Sequence, residues 1–288
     1  MMWFIFALIA ALSAASSRTL IKLTSRDREE TILFLRYLFA VPFALLMIPL
    51  FGIPVIGPWF WPAIIIGCML DVTVSVMIIN AIDHSDMSKS IPFIAFTPMF
   101  LLLTGFLILG EVPSYMGITG VMVIVVGAYA LKMKMHESGP LEPFRRLFRE
   151  RWSRYMLVTA FLMAVAGPVF KVAIIESSPA FILAVSFPLC LMFSLSYAFL
   201  KKDFQLVPNN SKMLVETFLL GVTLFITSIA FNFAVVDGLV PYVVSIKRLS
   251  IFFSVLIGTI WFREKHGLHN IIAGTIMVIG AMLIGIFS

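Results

Sequence analysis

The chain has 288 residues and a net charge of +6; 61% of its residues are hydrophobic and 12% are charged. A soluble domain carries about 25% charged residues, so this composition excludes a soluble globular protein and an intrinsically disordered one. With only two cysteines, the chain cannot be a disulfide scaffold. We ascribe its positive charge to cytoplasmic loops rather than to nucleic-acid binding.

Ten apolar stretches follow one another along the chain, each close to the length of about 20 residues that an α-helix needs to span a bilayer. Turn residues and charges separate them. The predicted spans 1 to 10 are 3–23, 30–51, 59–82, 87–109, 113–133, 154–174, 179–200, 212–235, 239–261 and 267–287. The long loop 134–153 contains a basic amphipathic segment, 141–149, that would lie on the membrane surface.

The loops that follow odd-numbered spans contain the Lys and Arg residues found between spans, whereas the other loops contain Glu111, Glu176 and Asp237. Because positive loops stay in the cytoplasm, this bias places loop 134–153 in the cytoplasm and both termini outside. We therefore predict a multi-pass protein of the cell membrane.

The two halves of the chain repeat at an offset of 153 residues. This offset aligns Arg18 with Lys171, Gly105 with Gly258, and Glu111 with Glu264. Each half has five predicted spans, an odd number, so the second half must enter the membrane in the opposite sense. The sequence predicts an all-α integral membrane protein with ten transmembrane helices in two inverted five-helix repeats, 1–133 and 154–288, joined by the cytoplasmic linker 134–153. Such repeats are typical of secondary transporters.

A characteristic stretch runs from Pro98 to Gly105 in span 4 and ends in Gly110-Glu111 just after that span; glycines follow between 117 and 127. The second half echoes it from 250 to 264 and at Gly280. With these motifs the chain resembles the drug/metabolite transporter superfamily, in particular its EamA-like ten-helix group. The resemblance implies that spans 1–4 and 6–9 line a central cavity and that spans 5 and 10 pack together. It also implies alternating access without ATP. Members of this group are usually described with cytoplasmic termini, the reverse of the charge bias here.

Three charged residues fall near the middle of their spans: Asp71, Lys247 and Arg248. A charge at the bilayer centre costs about 2.5–3.5 kcal/mol on insertion scales, so such residues usually face a cavity or a partner. Lys247 and Arg248 form a candidate anion-binding pair, in which Arg248 offers a planar fork to a carboxylate or phosphate. The alternative is a structural ion pair with Asp71, which could itself act as counter-ion or as proton coupler.

Three further residues complete the set of candidate substrate-binding side chains. For Arg36, in span 2, contact with the substrate and a structural role are equally consistent with the sequence. Tyr37 either reaches the cavity or packs against neighbouring helices. Lys171, near the outer end of span 6, lies at a cavity mouth or snorkels to the interface. For Glu111 and Glu264 we favour helix-end or loop contacts.

These patterns favour a secondary active transporter of a small organic solute, anionic or zwitterionic, that works by alternating access through a central cavity between the repeats. The alternatives are a flippase for lipids or lipid-linked headgroups, and a multidrug or amino-acid exporter. The sequence has no HExxH, GxSxG or phosphate-binding GxxxxGK[ST] motif, so we expect no enzyme, cofactor or metal. Coupling to a proton or another ion, and homodimer formation, are left open.

Overall fold

The computed structural model describes most of the chain. The described residues are 2–23, 29–84, 91–132, 151–200, 211–262 and 268–287. The basic segment 141–149 and Glu264 therefore lie outside them.

All regular elements of the described residues are helical, as the sequence predicts. The α-helices are α1 (Met2–Leu23), α2 (Glu29–Leu45), α3 (Met47–Phe51), α4 (Phe60–His84), α5 (Thr97–Leu109), α6 (Tyr115–Lys132), α7 (Arg151–Ile175), α8 (Phe181–Phe199), α9 (Ser211–Asp237), α10 (Val240–Lys247), α11 (Leu249–Phe262) and α12 (Leu268–Phe287). A 3₁₀ helix, Ile91–Phe96, immediately precedes α5.

Within the described residues, seven segments are long and apolar enough to cross a membrane. They are Met2–Leu20, Glu30–Phe51, Phe60–Ile78, Arg151–Ile175, Phe181–Phe199, Met213–Asp237 and Val240–Ile257. Three shorter apolar helical segments are Phe93–Leu109, Tyr115–Ala130 and Ile272–Phe287. An all-helical membrane protein is therefore confirmed, whereas the count of ten spans stays a prediction.

Two of the predicted spans are interrupted helices. Span 2 divides at Leu46, whose N–H bonds to the Pro42 carbonyl at 3.2 Å. Span 9 divides at Arg248, whose N–H is shared between the carbonyls of Val244 and Ser245 at 3.1 and 3.0 Å. The tight turn at Arg248 resembles 3₁₀ geometry, which within a helix often marks a functional position.

The chain forms two compact units. Unit A contains Met2–Val72 and Val169–Gly238, and unit B contains Thr73–Pro168 and Leu239–Ser288. The boundaries fall inside α4 and α7, and each unit takes residues from both predicted repeats. The repeats themselves, 1–133 and 154–288 with the linker 134–153, stay a prediction.

Unit B is organised around the packing of α6 against α12. A Cβ atom placed on Gly120 would lie 2.8 Å from the Gly280 carbonyl oxygen, and one on Gly280 would lie 2.8 Å from the Gly120 carbonyl oxygen. The two backbones touch because neither residue has a side chain, as small residues permit between membrane helices. The predicted packing of spans 5 and 10 is confirmed.

Unit A is organised around the packing of α1 against α9 and of α2 against α8 and α9. The alanines on the α1 side of the first contact are fully buried: Ala7, Ala10, Ala11 and Ala15. Hydroxyl groups add to it, since Ser13 Oγ donates to the Thr223 carbonyl at 2.9 Å and Ser17 Oγ lies 2.8 Å from Thr223 Oγ1. Small residues and interhelical hydrogen bonds from hydroxyl groups commonly stabilise the packing of membrane helices.

Candidate functional site

In unit A, three of the six candidate residues form one cluster. Tyr37 on α2 is buried, with 2% of its surface exposed, and its hydroxyl donates to Asp71 Oδ2 on α4 at 2.5 Å. This distance lies in the range of a short O–H···O bond to a carboxyl group. Nothing in the sequence pattern predicts this contact, because 34 residues separate the two positions.

Arg36, also on α2, contacts the same phenol. Its guanidinium carbon lies 5.0 Å from the centroid of the Tyr37 ring, within the range of a cation–π contact. Its Nη2 atom lies 3.5 Å from the Tyr37 hydroxyl oxygen, a long bond at the edge of hydrogen-bond geometry. Tyr37 therefore bridges a cation and an anion, and we call these three residues the Arg36–Tyr37–Asp71 cluster.

Helix α8 supplies an apolar wall to this cluster. The ring of Phe187 meets Tyr37 edge to face, with centroids 6.1 Å apart. The Cys68 thiol, one turn before Asp71 on α4, donates to the Ser186 carbonyl at 3.6 Å. Cys190 also interacts with Cys68, and both cysteines are buried and reduced. Charges in such surroundings interact more strongly than they would in water.

In unit B, the two candidate cations lie where α10 meets α11. Lys247 is the last residue of α10 and is half-buried; Arg248, at the junction, is buried with 7% of its surface exposed. Ser250 follows with 1% of its surface exposed, and its Oγ atom has no hydrogen-bond partner among the described residues. The tightened turn therefore holds two cations and a buried hydroxyl within four residues.

The predicted pairing of Asp71 with Lys247 or Arg248 remains a prediction. Asp71 belongs to unit A and the two cations belong to unit B, and each unit is described by itself. The partner that the structure gives to Asp71 is Tyr37, from the neighbouring helix of its own unit.

Lys171 on α7 binds the end of a helix. Its ammonium group is buried and donates to the Gly238 carbonyl, directly after α9, at 2.8 Å. The Gly238 N–H in turn bonds to the Ala234 carbonyl at 2.9 Å. A cation at this position satisfies a terminal carbonyl and interacts favourably with the negative end of the helix dipole.

Two carboxylates cap helix N-termini. In unit B, Glu111 Oε2 accepts the backbone N–H of Val240, the first residue of α10, at 2.9 Å. In unit A, Glu176 Oε2 accepts the N–H of Trp59, just before α4, at 3.1 Å. The helix-end role predicted for Glu111 is confirmed; no such role was predicted for Glu176.

Tyr242 on α10 is fixed by the start of α6. It is 2% exposed, and its hydroxyl oxygen accepts the Ser114 N–H at 2.8 Å. The Ser114 hydroxyl donates to the Phe287 carbonyl at 3.0 Å, so one serine ties α6, α10 and α12 together. This network anchors the start of the helix that carries Lys247.

Within the part of the chain that the structure describes, no group of three or more His, Cys, Asp or Glu residues could hold a metal ion. The candidate side chains offer cations, a carboxylate and a phenol, which are groups suited to ionic contacts and hydrogen bonds.

Comparisons with known proteins agree with a membrane transporter. The model of the EamA-like transporter family matches residues 1–133 and 151–286, nearly the whole chain in two parts. A crystal structure of another protein shares the fold, with a TM-score of 0.78 and 13% sequence identity. That likeness covers 99% of this chain and 97% of the other. No curated protein matches the chain.

Proposed function

Because the chain belongs to the EamA-like transporter family, we propose that it is a secondary active transporter of a small organic solute that is anionic or zwitterionic. The observation that carries the solute class is the placement of Lys247 and Arg248 at the tightened turn between α10 and α11. Arg248 is buried, with 7% of its surface exposed, and its guanidinium is a planar fork of donors that suits a carboxylate or phosphate.

We propose that the solute crosses the membrane by alternating access through a central cavity between two inverted five-helix repeats. In support, the seven long and three shorter apolar segments of the described residues each fall within, or nearly within, one of the ten predicted spans. The family model also matches the chain in two parts that correspond to the two proposed repeats. The interrupted helix at Arg248 supports a solute site at membrane depth, because broken helices line such sites in many transporters.

The proposed orientation places both termini outside the cell membrane and the linker 134–153 in the cytoplasm. It is supported by the Lys and Arg bias of the loops, which is independent of the family match. The proposed partners are the solute, the bilayer and a coupling ion.

A thermal-shift screen of the purified protein tests the solute class. The protein is heated with anionic, zwitterionic and cationic metabolites and with lipid headgroups, alongside Lys247→Ala, Arg248→Ala and the control Arg154→Ala, which removes an exposed cation of α7. A ligand at 100 times its Kd stabilises the folded state by about 2.7 kcal/mol. We expect anions or zwitterions to stabilise the parent and the control, and to lose their effect in the two central variants.

Each other result contradicts the proposal in a specific way. Stabilisation by cationic compounds alone would favour a multidrug exporter, and stabilisation by lipid headgroups alone would favour a flippase. An anion that stabilises all four proteins equally would remove Lys247 and Arg248 from the site.

A further inference from the structure

The break between α10 and α11 leaves one buried hydroxyl unsatisfied. Ser250, the second residue of α11, is 1% exposed, and its Oγ atom has no hydrogen-bond partner among the described residues. Two other serines of these helices donate to carbonyls of their own segment: Ser245 Oγ to Pro241 and Ser254 Oγ to Ser250, both at 2.6 Å. A buried polar group without a partner is costly, so the presence of this hydroxyl needs an explanation.

The first half of the chain contains a comparable break, also in unit B, between the 3₁₀ helix and α5. The offset of 153 residues that aligns the two halves pairs Ser250 with Thr97, the first residue of α5. Thr97 is equally buried, but its Oγ1 atom donates to the Ile94 carbonyl at 2.7 Å. The residues aligned with the two cations are Ile94 and Ala95, which are apolar. The second break therefore differs from the first in having an unused hydroxyl beside two cations.

The backbone next to Ser250 offers further donors. Leu249 and Ser250 are the first two residues of α11, and a helix leaves its first N–H groups without partners in its own ladder. The N–H of Arg248, just before them, bonds to carbonyls of α10, and the N–H of Ile251, just after them, bonds to the Arg248 carbonyl at 2.9 Å. Because Cα–Cβ bonds in a helix tilt towards its N-terminus, the Ser250 hydroxyl lies on the same side as these N–H groups.

We propose that the start of α11 is the subsite for the acidic group of the solute, with the Ser250 hydroxyl and the N–H groups of Leu249 and Ser250 as donors to its oxygens. The inference rests on the proposed function, because it names the groups that recognise the solute at the same turn. Lys247 and Arg248 keep their contacts within the chain and contribute through their charge, which makes the turn attractive to an anion.

The kinds of group at this turn distinguish between classes of ligand. A carboxylate or a phosphate has several acceptor oxygens and can accept bonds from two N–H groups and a hydroxyl together. The positive end of the helix dipole favours such an anion. An organic cation would meet the same dipole and the charges of Lys247 and Arg248, all of which repel it.

The subsite is closed in this structure, since Ser250 is 1% exposed. A solute therefore reaches it in an open state of the transport cycle and is enclosed when the protein closes. In the closed state without solute, the Ser250 hydroxyl pays the cost of burial without a partner. The bound anion removes that cost, so it shifts the equilibrium towards closure.

Binding of inorganic phosphate to the purified full chain tests the subsite. Calorimetric titrations compare the parent with Ser250→Ala and with two controls, Ser245→Ala and Thr97→Val, whose lost hydroxyls are bonded within the chain. We expect Ser250→Ala to bind phosphate about tenfold more weakly, a typical effect of losing one hydrogen bond to a charged group. The two controls should bind it as the parent does. Equal affinity of the parent and Ser250→Ala, including no binding to either, would overturn the proposal.

Thermal unfolding without ligand distinguishes a ligand-binding hydroxyl from a structural one. Ser250→Ala removes a hydroxyl that has no partner among the described residues, so the unfolding temperature should not fall. Thr97→Val removes the bond to the Ile94 carbonyl, so the unfolding temperature should fall. If Ser250→Ala lowers the unfolding temperature as much as Thr97→Val does, the Ser250 hydroxyl has a structural role and the subsite is wrong.

The two proposals fail separately. If the metabolite screen gives an anion that depends on Lys247 and Arg248 but binds Ser250→Ala as tightly as the parent, the transporter proposal stands and the subsite is wrong. If phosphate binding depends on Ser250 but the screen gives only cations or lipids, the proposed solute class is wrong. The start of α11 is then a site for a free inorganic anion.

Discussion

Glu111 Oε2 accepts the backbone N–H of Val240 at 2.9 Å, in a place where the Glu111 side chain is only 8% exposed. Val240 begins α10, and its N–H is one of the donors that a helix leaves unsatisfied at its N-terminus. A carboxylate at this position also interacts favourably with the positive end of the helix dipole. The contact fixes the start of the helix that ends at Lys247.

Removal of this cap should destabilise the protein. We expect Glu111→Ala to lower the free energy of unfolding by about 1–3 kcal/mol, because it leaves the buried Val240 N–H without its acceptor. Glu111→Gln keeps an acceptor oxygen and should lower the free energy of unfolding by less than Glu111→Ala. Thermal unfolding of the purified protein in detergent measures both.

Glu176 provides the internal comparison. Its bond to the Trp59 N–H is exposed, so water can replace the carboxylate in Glu176→Ala. We expect a smaller loss than for Glu111→Ala. If both alanine variants cost the same, burial of the Val240 N–H is not the source of the effect.

The contact between α6 and α12 should tolerate no added methyl group. We expect Gly120→Ala and Gly280→Ala each to lower the free energy of unfolding by about 1–3 kcal/mol, because the new Cβ meets a backbone oxygen that cannot rotate away. The control is Gly105→Ala, whose Cβ would have its nearest neighbours at 3.3–3.5 Å. An effect of Gly105→Ala as large as that of Gly120→Ala would contradict this explanation.

The α6–α12 contact was predictable from the sequence because it depends on residue type alone. Small residues repeated along one apolar helix indicate where another helix can approach, whatever the rest of the fold. The cap at Glu111 was predictable for a similar reason, since a lone carboxylate beside Gly110 at a helix end has few other roles. Apolar length likewise predicted the membrane-spanning character of α1, α4 and α8.

The Tyr37–Asp71 bond was not predictable in the same way. Its formation depends on how α2 and α4 rotate about their axes, and the largely apolar sequences of these helices do not determine that rotation. The helix break at Arg248 was also not predictable, because no proline or glycine lies at the break. The sequence therefore indicated these side chains as candidates but left their contacts undetermined.

Variants of Lys171 distinguish a structural role of this residue from a solute-binding one. Lys171→Met should lower the free energy of unfolding by about 1–3 kcal/mol, because the buried Gly238 carbonyl loses its donor. Lys171→Arg keeps a cationic donor and should recover much of the loss. Thermal unfolding measures stability, and the metabolite screen repeated on both variants measures binding.

A role at the solute site would give a different pattern. Lys171→Met would then abolish the shift caused by an anion without lowering the unfolding temperature of the protein alone. We expect the opposite: lower stability and an unchanged response to the anion.

The orientation of the chain in the membrane can be measured directly. Positive loops resist translocation, so residue 138, in the predicted cytoplasmic linker, should be protected from a thiol reagent that cannot cross the membrane. Residue 55 lies in the loop between α3 and α4, on the predicted outer side, and is 94% exposed. Val55→Cys should therefore be labelled in intact cells and Ser138→Cys only after the membrane is opened.

The background for both variants is a chain without Cys68 and Cys190, and this background protein without an added cysteine is the control for non-specific labelling. Labelling of Ser138→Cys but not Val55→Cys in intact cells would reverse the orientation and place both termini in the cytoplasm.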